Sequence, residues 1–238
     1  MKTALVTGGS RGIGAGIVKA LCRAGYGVTF LYKSNEEAAQ AVSRETGADA
    51  VCCNVADSAQ VEKAVKSALS RWKHIDLLVN CAGIAQSGLL TDVTDGQWHA
   101  MLDTHLTGAF YLCRAVLPGM LRRQSGCIVN ISSIWGQAGA ACEVSYSAAK
   151  AGLIGFTKAL AKEAGPGGVR VNCVCPGVIE TDMLNCYTAD DLEDLKERTP
   201  LGRLGTPQDV AGCVLWLAGT DAGFVTGQVI GVGGGFGE

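Results

Sequence analysis

Thr7-Gly8-Gly9-Ser10-Arg11-Gly12-Ile13-Gly14 is the stretch that decides the fold of this 238-residue chain. It follows an apolar run from Thr3 to Thr7 and opens a segment in which Ile13, Ile17 and Leu21 repeat at helical spacing. The order is therefore strand, glycine turn and helix. Glycine is needed where a backbone turns sharply or approaches a pyrophosphate, and a helix amino end favours phosphate groups. A dinucleotide site is one interpretation, and a purely structural tight turn is the other.

Apolar runs of strand length alternate with longer stretches of helical period along the whole chain. This pattern is typical of strand-helix units around a parallel sheet, whose buried strands are apolar on both faces. We predict an α/β fold with a doubly wound, Rossmann-type parallel sheet of about seven strands and helices on both faces. Its ligands are expected at the carboxyl ends of the strands. The predicted strands are Thr3 to Thr7, Val28 to Tyr32, Ala48 to Asn54, Leu77 to Asn80, Cys127 to Ile131, Arg170 to Cys175 and Gln228 to Val232.

Length and composition limit the domain organisation and the class of function. A chain of 238 residues with 48% hydrophobic residues can bury one sizeable core, and we expect one domain over residues 1–238. The formal net charge of −2 leaves no cationic excess for a phosphate backbone, so we expect no nucleic-acid partner. The first apolar stretch is too short for a signal peptide, and no apolar run reaches membrane-spanning length. We therefore expect a soluble, cytoplasmic protein without a membrane partner.

The 11 cysteines do not indicate a disulfide framework, because their number is odd and the chain is longer than small secreted domains that need one. The sequence contains no C-x-x-C, and His74, His99 and His105 show no ligand spacing beside the cysteines. We expect reduced thiols that pack as small apolar side chains, and no metal site.

The end of the second predicted strand bears on the choice of dinucleotide. In dinucleotide folds an acidic residue at this place binds the adenosine ribose of NAD and disfavours the 2′-phosphate of NADP. This chain has Leu31-Tyr32-Lys33-Ser34 without an acid, and Lys33 and Arg11 supply two cations that can flank a phosphate. We predict NADPH/NADP as the cofactor, with ordinary solvated surface charges as the alternative interpretation.

Tyr146 and Lys150 stand four residues apart in an apolar helical stretch, so both side chains share one helix face. An ammonium about 4 Å away supplies roughly 4 kcal/mol at an effective dielectric of 20, before desolvation is subtracted. We expect this to lower the pKa of the phenol into a working range. Ser133 lies just past the fifth predicted strand. We predict that Tyr146 donates a proton and Ser133 holds the carbonyl oxygen while a nicotinamide hydride reduces a ketone to an alcohol.

These residues resemble the short-chain dehydrogenase/reductase family, and the resemblance covers the whole chain. The resemblance implies a homotetramer with helices near residues 98–122 and 146–164 at an interface, and a substrate lid around residues 180–205. The matching stretches, in order, are Thr7 to Gly14, Asn80-Cys81-Ala82-Gly83, Ser133 thirteen residues before Tyr146, Lys150, and Pro176-Gly177-Val178-Ile179-Glu180-Thr181.

The same resemblance implies where the cofactor lies. It assigns the adenosine side to Asn80, Ala82 and Gly83, adenine contacts to Asn54 and Val55, and the carboxamide end of the nicotinamide to Ile179 and Thr181. The full set of expected cofactor residues is Gly8, Ser10, Arg11, Gly12, Ile13, Gly14, Tyr32, Lys33, Ser34, Asn54, Val55, Asn80, Ala82, Gly83, Tyr146, Lys150, Pro176, Gly177, Ile179 and Thr181.

One departure from the family pattern falls on a catalytic position. His105 stands where the family has an asparagine that helps to hold a water between the lysine and solvent. A neutral imidazole also exchanges hydrogen bonds with water, so His105 is a candidate catalytic residue of a working relay. The other hypothesis is a weakened or altered site.

Two narrower resemblances concern the substrate. Pro200 to Gly205 is similar to 3-oxoacyl-acyl-carrier-protein reductases, which are the broader neighbours of this pattern. Ser132 to Gln137 and Gly139 to Tyr146 resemble the elongation factor P 5-aminopentanone reductases, which reduce a ketone on a modified lysine. We expect Glu143 to pair with the terminal ammonium of that substrate, and Trp135 is a second expected substrate residue.

The sequence leaves open the role of Glu143, the carrier of the substrate and the level of catalytic activity. Glu143 can instead favour the amino end of its helix through the helix dipole. The expected partner is a ketone substrate carried on elongation factor P or on acyl carrier protein. A third hypothesis is a catalytically weak protein that binds NADPH and serves as an assembly or regulatory partner, which only His105 favours.

Overall fold

The computed structural model describes residues 1–184 and 187–237, which hold seven β-strands and nine α-helices. The strands are β1 (Thr3–Thr7), β2 (Gly27–Tyr32), β3 (Asp49–Cys52), β4 (Leu77–Asn80), β5 (Gly126–Ile131), β6 (Val169–Pro176) and β7 (Val229–Val232). The helices are α1 (Gly12–Arg23), α2 (Glu36–Thr46), α3 (Ser58–Trp72), α4 (Asp95–Leu102), α5 (Gly108–Arg123), α6 (Trp135–Ala138), α7 (Val144–Ala164), α8 (Ala189–Glu197) and α9 (Pro207–Ala218).

The described strands form one parallel sheet in the order β3-β2-β1-β4-β5-β6-β7. The strand order reverses between β1 and β4, because the chain builds one half of the sheet outward from β1 and then crosses to build the other half. This arrangement is the doubly wound sheet that the sequence predicts. A crevice forms at the carboxyl ends of the strands where the order reverses, and ligands bind there in such sheets.

Most predicted strand ends agree with the structure to within one residue, but the third strand differs. The sequence predicts a strand over Ala48 to Asn54, whereas β3 covers only Asp49–Cys52 and is partly exposed. β3 is an edge strand with a single neighbour, β2, so one side of it lacks the burial that central strands have. The expectation of strands apolar on both faces therefore fails at this edge.

The helices cover both faces of the sheet. Apolar residues of α1, α2 and α9, including Ile17 and Val214, pack against one face. Apolar residues of α3, α5 and α7, including Leu112 and Ala161, pack against the other. Each large apolar side chain buried in this way contributes about 1.5–3 kcal/mol. None of the helices within the described residues is long and apolar enough to cross a membrane.

A chain of side-chain hydrogen bonds crosses the apolar core below the crevice. Asn80 Nδ2 at the end of β4 donates to Asn130 Oδ1 of β5 at 2.8 Å. Asn130 Nδ2 donates to Thr157 Oγ1 of α7 at 2.8 Å, and Thr157 Oγ1 donates to the carbonyl of Leu153 at 2.8 Å. All three side chains are buried. Because an unpaired buried polar group costs about 1–3 kcal/mol, this chain fixes α7 against β4 and β5.

We predict that Thr157→Val destabilises the protein by about 1–3 kcal/mol, because Asn130 loses its buried acceptor while the side-chain shape is kept. Urea unfolding measures the free energy of unfolding. Thr91→Val is the matched control, since Thr91 is exposed, and it should change the stability by less than about 0.5 kcal/mol. Equal stability of both variants would contradict a structural role for the buried hydrogen bonds between Asn80, Asn130 and Thr157.

Candidate functional site

The glycine turn between β1 and α1 forms one wall of the crevice. Gly8 has a φ of 68° and Gly12 a φ of 54°, both in the left-handed region that favours glycine. A Cβ atom on Gly14 would lie 2.1 Å from the carbonyl oxygen of Gly8, so only glycine allows α1 to start this close to β1. Arg11 is the N-cap residue of α1 and makes no side-chain capping hydrogen bond. The amino end of α1 therefore suits a phosphate group.

Thr7 joins the glycine turn to the loop that follows β4. Its Oγ1 accepts hydrogen bonds from the backbone N–H groups of Cys81 and Ala82, each at 2.9 Å. Sequence reasoning missed this role, although a hydroxyl residue at the end of an apolar strand was a visible signal. The two loops consequently keep a fixed spacing across the crevice.

A cleft of about 670 Å³ opens at the carboxyl ends of β1, β2, β4 and β5. It brings together most of the predicted cofactor residues. Those that line it are Gly8, Ser10, Arg11, Gly12, Ile13, Gly14, Tyr32, Lys33, Ser34, Asn54, Val55, Ala82, Gly83, Tyr146, Lys150 and Thr181. The lining residues that sequence reasoning missed are Leu31, Asn35, Cys53, Cys81, Ile84, Ala85, Thr104, Ile131, Ser132, Asp182 and Met183.

Four predicted cofactor residues are not among those that line the cleft. Asn80 lies deeper, in the buried chain of hydrogen bonds. Pro176, Gly177 and Ile179 belong to the end of β6 and the segment after it, and the carbonyl of Pro176 accepts a hydrogen bond from the backbone N–H of Ile134 at 3.1 Å. Their contacts with a cofactor remain predictions.

The end of the cleft beside β2 carries two exposed cations, Arg11 and Lys33. The cleft residues that follow β2, Lys33, Ser34 and Asn35, include no acid. Asn35 is occupied as the N-cap of α2, where its Oδ1 accepts from the backbone N–H of Ala38 at 2.9 Å. This end of the cleft therefore attracts an anion, and the glycine turn fits a dinucleotide.

Lys150 is a buried cation on α7. Its Nζ donates to the carbonyl of Ile131, the last residue of β5, at 2.8 Å and lies 5.5 Å from the centroid of the Tyr146 ring. Gly136 of α6 permits this packing, because a Cβ atom there would lie 2.9 Å from the Cβ of Lys150. Burial lowers the pKa of Lys150 to about 8.

Tyr146 shows the opposite shift from the one that the sequence predicts. Burial raises the pKa of Tyr146 to about 12, and this effect outweighs a hydrogen bond with Ser133 that lowers it. The spacing of Tyr146 and Lys150 predicts a nearby ammonium, but it does not report how far the phenol is removed from water. Ser133 Oγ also accepts from the backbone N–H of Trp135 at 3.1 Å. Tyr146, Ser133 and Lys150 are thus brought together as predicted, with a phenol that keeps its proton.

His105 lies in a π-helical turn, Asp103–Thr107, between α4 and α5. Its Nε2 is 3.1 Å from the backbone nitrogen of Ile84 and 2.9 Å from the carbonyl oxygen of the same residue. The imidazole stands edge-on to the Tyr146 ring, with 5.3 Å between centroids. Burial lowers the pKa of His105 to about 3, so the ring is neutral at physiological pH. Single-turn π-helices are frequent at functional sites.

Glu143 occupies the N-cap position of α7, three residues before Tyr146. Its side chain makes no capping hydrogen bond, and it belongs to none of the ion pairs within the described residues. Burial raises the pKa of Glu143, and its charge in turn raises the pKa of Tyr146. Trp135 is partly buried, and neither residue lines the cleft. Glu143 is therefore a partly desolvated carboxylate near the phenol that does not cap its helix.

The two ends of the segment predicted as a substrate lid, residues 180–205, lie side by side and are joined by backbone hydrogen bonds. The backbone N–H of Glu180 donates to the carbonyl of Gly205 at 2.8 Å, and that of Gly205 donates to the carbonyl of Val178 at 2.9 Å. α8 lies within the segment, and residues 185 and 186 lie outside the described residues. Thr181 and Met183 line the cleft. Movement of this segment remains a prediction.

The carboxyl-terminal turn packs between this segment and α6. The carbonyl of Gly234 accepts from the backbone N–H of Leu201 at 3.1 Å. The buried ring of Phe236 lies 6.0 Å from the Trp135 ring, and the guanidinium of Arg198 lies 5.4 Å from the Phe236 ring. The carboxyl end of the chain thus supports the residues next to Ser133.

The ten cysteines within the described residues are unpaired. Cys186 lies outside these residues. Burial raises the pKa of Cys81, next to the cleft, to about 11. Residues 1–184 and 187–237 hold no group of three or more His, Cys, Asp or Glu side chains placed to bind a metal ion.

Comparison with known proteins agrees with this geometry. A family model described as enoyl-(acyl carrier protein) reductase matches residues 8–237. The 3-oxoacyl-[acyl-carrier-protein] reductase FabG of Chlamydia muridarum is 42% identical over 98% of this chain and 96% of its own length. The acetoacetyl-CoA reductase of Paracoccus denitrificans is 46% identical over 95% of this chain and 94% of its own. The uncharacterized oxidoreductase YmfI of Bacillus subtilis is 41% identical over 99% of this chain and 98% of its own length.

We predict that Lys150→Met alters how stability depends on pH. The pKa of Lys150 is about 8 in the folded protein and near the ordinary value of 10.5 in an unfolded chain. Between these values the unfolded chain binds a proton that the folded protein has lost, so the wild-type protein gains stability as the pH rises. Relative to the variant, its free energy of unfolding should rise by about 2 kcal/mol from about pH 7.5 to about pH 9.5.

The measurement is denaturant unfolding at each pH. Lys158→Met is the control, since Lys158 is exposed on the same helix, and its difference from the wild type should stay constant with pH. A constant difference for Lys150→Met as well would show that the buried ammonium keeps a solvent-like pKa.

Proposed function

The chain belongs to the short-chain dehydrogenase/reductase family, and from this premise we propose that it reduces a ketone to a secondary alcohol with NADPH. Family and relatives make it an oxidoreductase that acts on CH-OH and C=O groups with a nicotinamide cofactor. The observation that carries the proposal is the convergence of Tyr146, Ser133 and Lys150 beside a glycine-walled cleft.

Three side chains have different roles in the proposed reaction. The nicotinamide cofactor, when bound, supplies the hydride that adds to the carbonyl carbon. Tyr146 gives its phenolic proton to the carbonyl oxygen, which becomes the hydroxyl of the alcohol. Ser133 Oγ accepts from the N–H of Trp135, and its hydroxyl proton, which pairs with Tyr146 in this structure, turns to hold that oxygen when the ketone is bound. The cation of Lys150, 5.5 Å from the Tyr146 ring, stabilises the phenolate that remains.

NADPH is preferred over NADH in this proposal because of charge. Arg11 and Lys33 are exposed at the β2 end of the cleft, where a 2′-phosphate would lie, and the cleft residues just after β2, Lys33 to Asn35, include no acid. Charge-assisted hydrogen bonds are worth about 1.5–3 kcal/mol each. A carboxylate at this position, as in NAD-binding folds, would repel the phosphate.

We predict that Lys33→Ala raises the KM for NADPH by about tenfold or more and changes the KM for NADH by less than about threefold. Steady-state kinetics with both cofactors measures the difference. Lys63→Ala, which removes an exposed lysine of α3 outside the cleft lining, should change neither value. Equal effects of Lys33→Ala on both cofactors would remove the charge argument.

For the substrate we propose the 5-aminopentanone modification on elongation factor P. The support is Glu143, a partly buried carboxylate near Tyr146 with neither a capping hydrogen bond nor an ion pair in the described structure. A carboxylate that is partly removed from water gains most from an ammonium group brought by the substrate. The interpretation of Glu143 as a helix-end residue has less support, because its side chain does not cap α7.

The second candidate substrate is a 3-oxoacyl thioester on acyl carrier protein. Its support is the printed function of relatives that are 41–42% identical over nearly the whole chain. A neutral acyl chain would leave Glu143 without a partner. The two candidates share Tyr146, Ser133 and Lys150, and they differ in what Glu143 contributes.

The test is NADPH consumption by the purified protein on 5-aminopentanone-modified elongation factor P and on a short 3-oxoacyl thioester. We expect preferential turnover of the modified factor. Glu143→Gln should raise the KM for that substrate by about tenfold and leave the thioester unaffected, because only the modified factor carries an ammonium. Tyr146→Phe, which keeps the ring and removes the acid, is the blank.

Glu163→Gln is the matched control, since it removes an exposed carboxylate at the other end of α7. It should change neither KM. If the wild type prefers the thioester and Glu143→Gln keeps its activity on both substrates, the acyl-carrier-protein alternative is favoured. Retained turnover by Tyr146→Phe would contradict proton donation by Tyr146, which both candidates share.

The assembly and location follow from the same proposal. A substrate on a translation factor places the reaction in the cytoplasm. The homotetramer that the family resemblance implies would cover α5, where Phe110 is 39% exposed and the guanidinium of Arg114 stacks on it at 4.7 Å. This surface has the mixed aromatic and arginine character of protein interfaces.

A further inference from the structure

Two buried side-chain atoms within the described residues have no hydrogen-bond partner, Asn80 Oδ1 and His105 Nδ1. Both residues line the same small cavity. Its volume, measured as the space open to the centre of a water molecule, is about 10 Å³. A space of about 10–15 Å³ on this measure holds one water, provided that two or more polar groups face it.

The cavity lies behind the wall of the cofactor cleft. Residues that line both the cavity and the cleft separate the two spaces, and they are Val55, Ala82, Thr104, His105 and Ile131. Lys150 and Tyr146 are not among the residues that line the cavity. The site is therefore distinct from a water relay that would reach Lys150.

The imidazole of His105, which lines the cavity, has one ring nitrogen without a hydrogen-bond partner. Nε2 is already held by the backbone of Ile84, from the N–H at 3.1 Å or to the carbonyl at 2.9 Å. The ring is buried and neutral, so one nitrogen donates and the other accepts. In either tautomer, Nδ1 needs one hydrogen bond that no protein atom in the described structure supplies.

We propose that the cavity holds one ordered water that joins Asn80 Oδ1 to His105 Nδ1. The water donates to Oδ1, which can only accept, and makes its second hydrogen bond with Nδ1. With this water, the buried series of hydrogen bonds runs from Thr157 through Asn130 and Asn80 to His105, and from there to Ile84.

This water makes His105 a positioning residue for the cleft wall. The ring fills the space beside Gly83, where a Cβ atom would lie 2.5 Å from its Cε1, and it holds Ile84 through Nε2. Gly83 and Ile84 both line the cleft. A ring that loses its partner at Nδ1 no longer has a fixed orientation, and the wall that contacts the cofactor shifts with it.

Two measurements on the full chain test the water directly. A high-resolution crystal structure should show a density peak about 2.7–3.2 Å from both Asn80 Oδ1 and His105 Nδ1. NMR of the protein with ¹⁵N-labelled histidine should show one neutral tautomer of His105, with a cross-peak between its ring and a long-lived water. Absence of both signals would overturn the proposal.

A pair of isosteric substitutions tests the consequence. Ala109 of α5 lines the cavity and not the cleft. Ala109→Val fills the space with methyl groups, whereas Ala109→Thr fills it equally and offers a hydroxyl in place of the water. We expect Ala109→Val to raise the KM for NADPH about fivefold with less than about a twofold change in kcat, and Ala109→Thr to restore most of the loss.

Equal KM values for the two variants would show that packing alone matters and would contradict the positioning role. Should Ala109→Val fail to fold, the wild-type density and the histidine NMR spectrum still decide the proposal. Neither measurement depends on the identity of the ketone substrate.

Discussion

The hydrogen bond from Lys150 Nζ to the carbonyl of Ile131 ties the helix that carries the reactive groups to the end of a central strand. A buried cation costs several kcal/mol unless it is hydrogen-bonded, so α7 has one favourable position along β5. Ser132 Oγ strengthens this junction by donating to the carbonyl of Lys150 at 2.9 Å. Gly136 leaves the room that the junction needs. The placement of Tyr146 follows, because it lies one helical turn before Lys150.

Burial acts on three titratable groups of the site and favours the neutral form of each. It lowers the pKa of Lys150 and of His105, and it raises the pKa of Tyr146. A phenol with a raised pKa keeps the proton that reduction of a carbonyl consumes. In the proposed reaction, negative charge develops on Tyr146 only as the proton leaves, and the nearby ammonium then stabilises it. The protein environment thus keeps Tyr146, the proposed acid, in its protonated state.

Much of this architecture could be predicted from the sequence because it rests on local periodicity. Apolar runs and helical spacing indicated the doubly wound sheet, and the turn from Thr7 to Gly14 indicated the cleft. β3 was overestimated, since an apolar run does not reveal that a strand lies at an edge. The hydroxyl bridge of Thr7 and the pairing of His105 with Ile84 were not predicted, because both join residues far apart in the chain. The pKa of Tyr146 depends on the depth of burial, which spacing does not report.

The carboxyl-terminal turn has a practical consequence for handling the protein. Phe236 is 3% exposed and packs on Trp135, two residues from Ser133, so a bulky label on this turn would disturb the residues next to Ser133. Met1 is 78% exposed and precedes β1, whose amino end lies across the sheet from the cleft. Fluorophores and surface tethers attached at Met1 therefore leave the cleft free, whereas those attached at the carboxyl-terminal turn crowd Trp135.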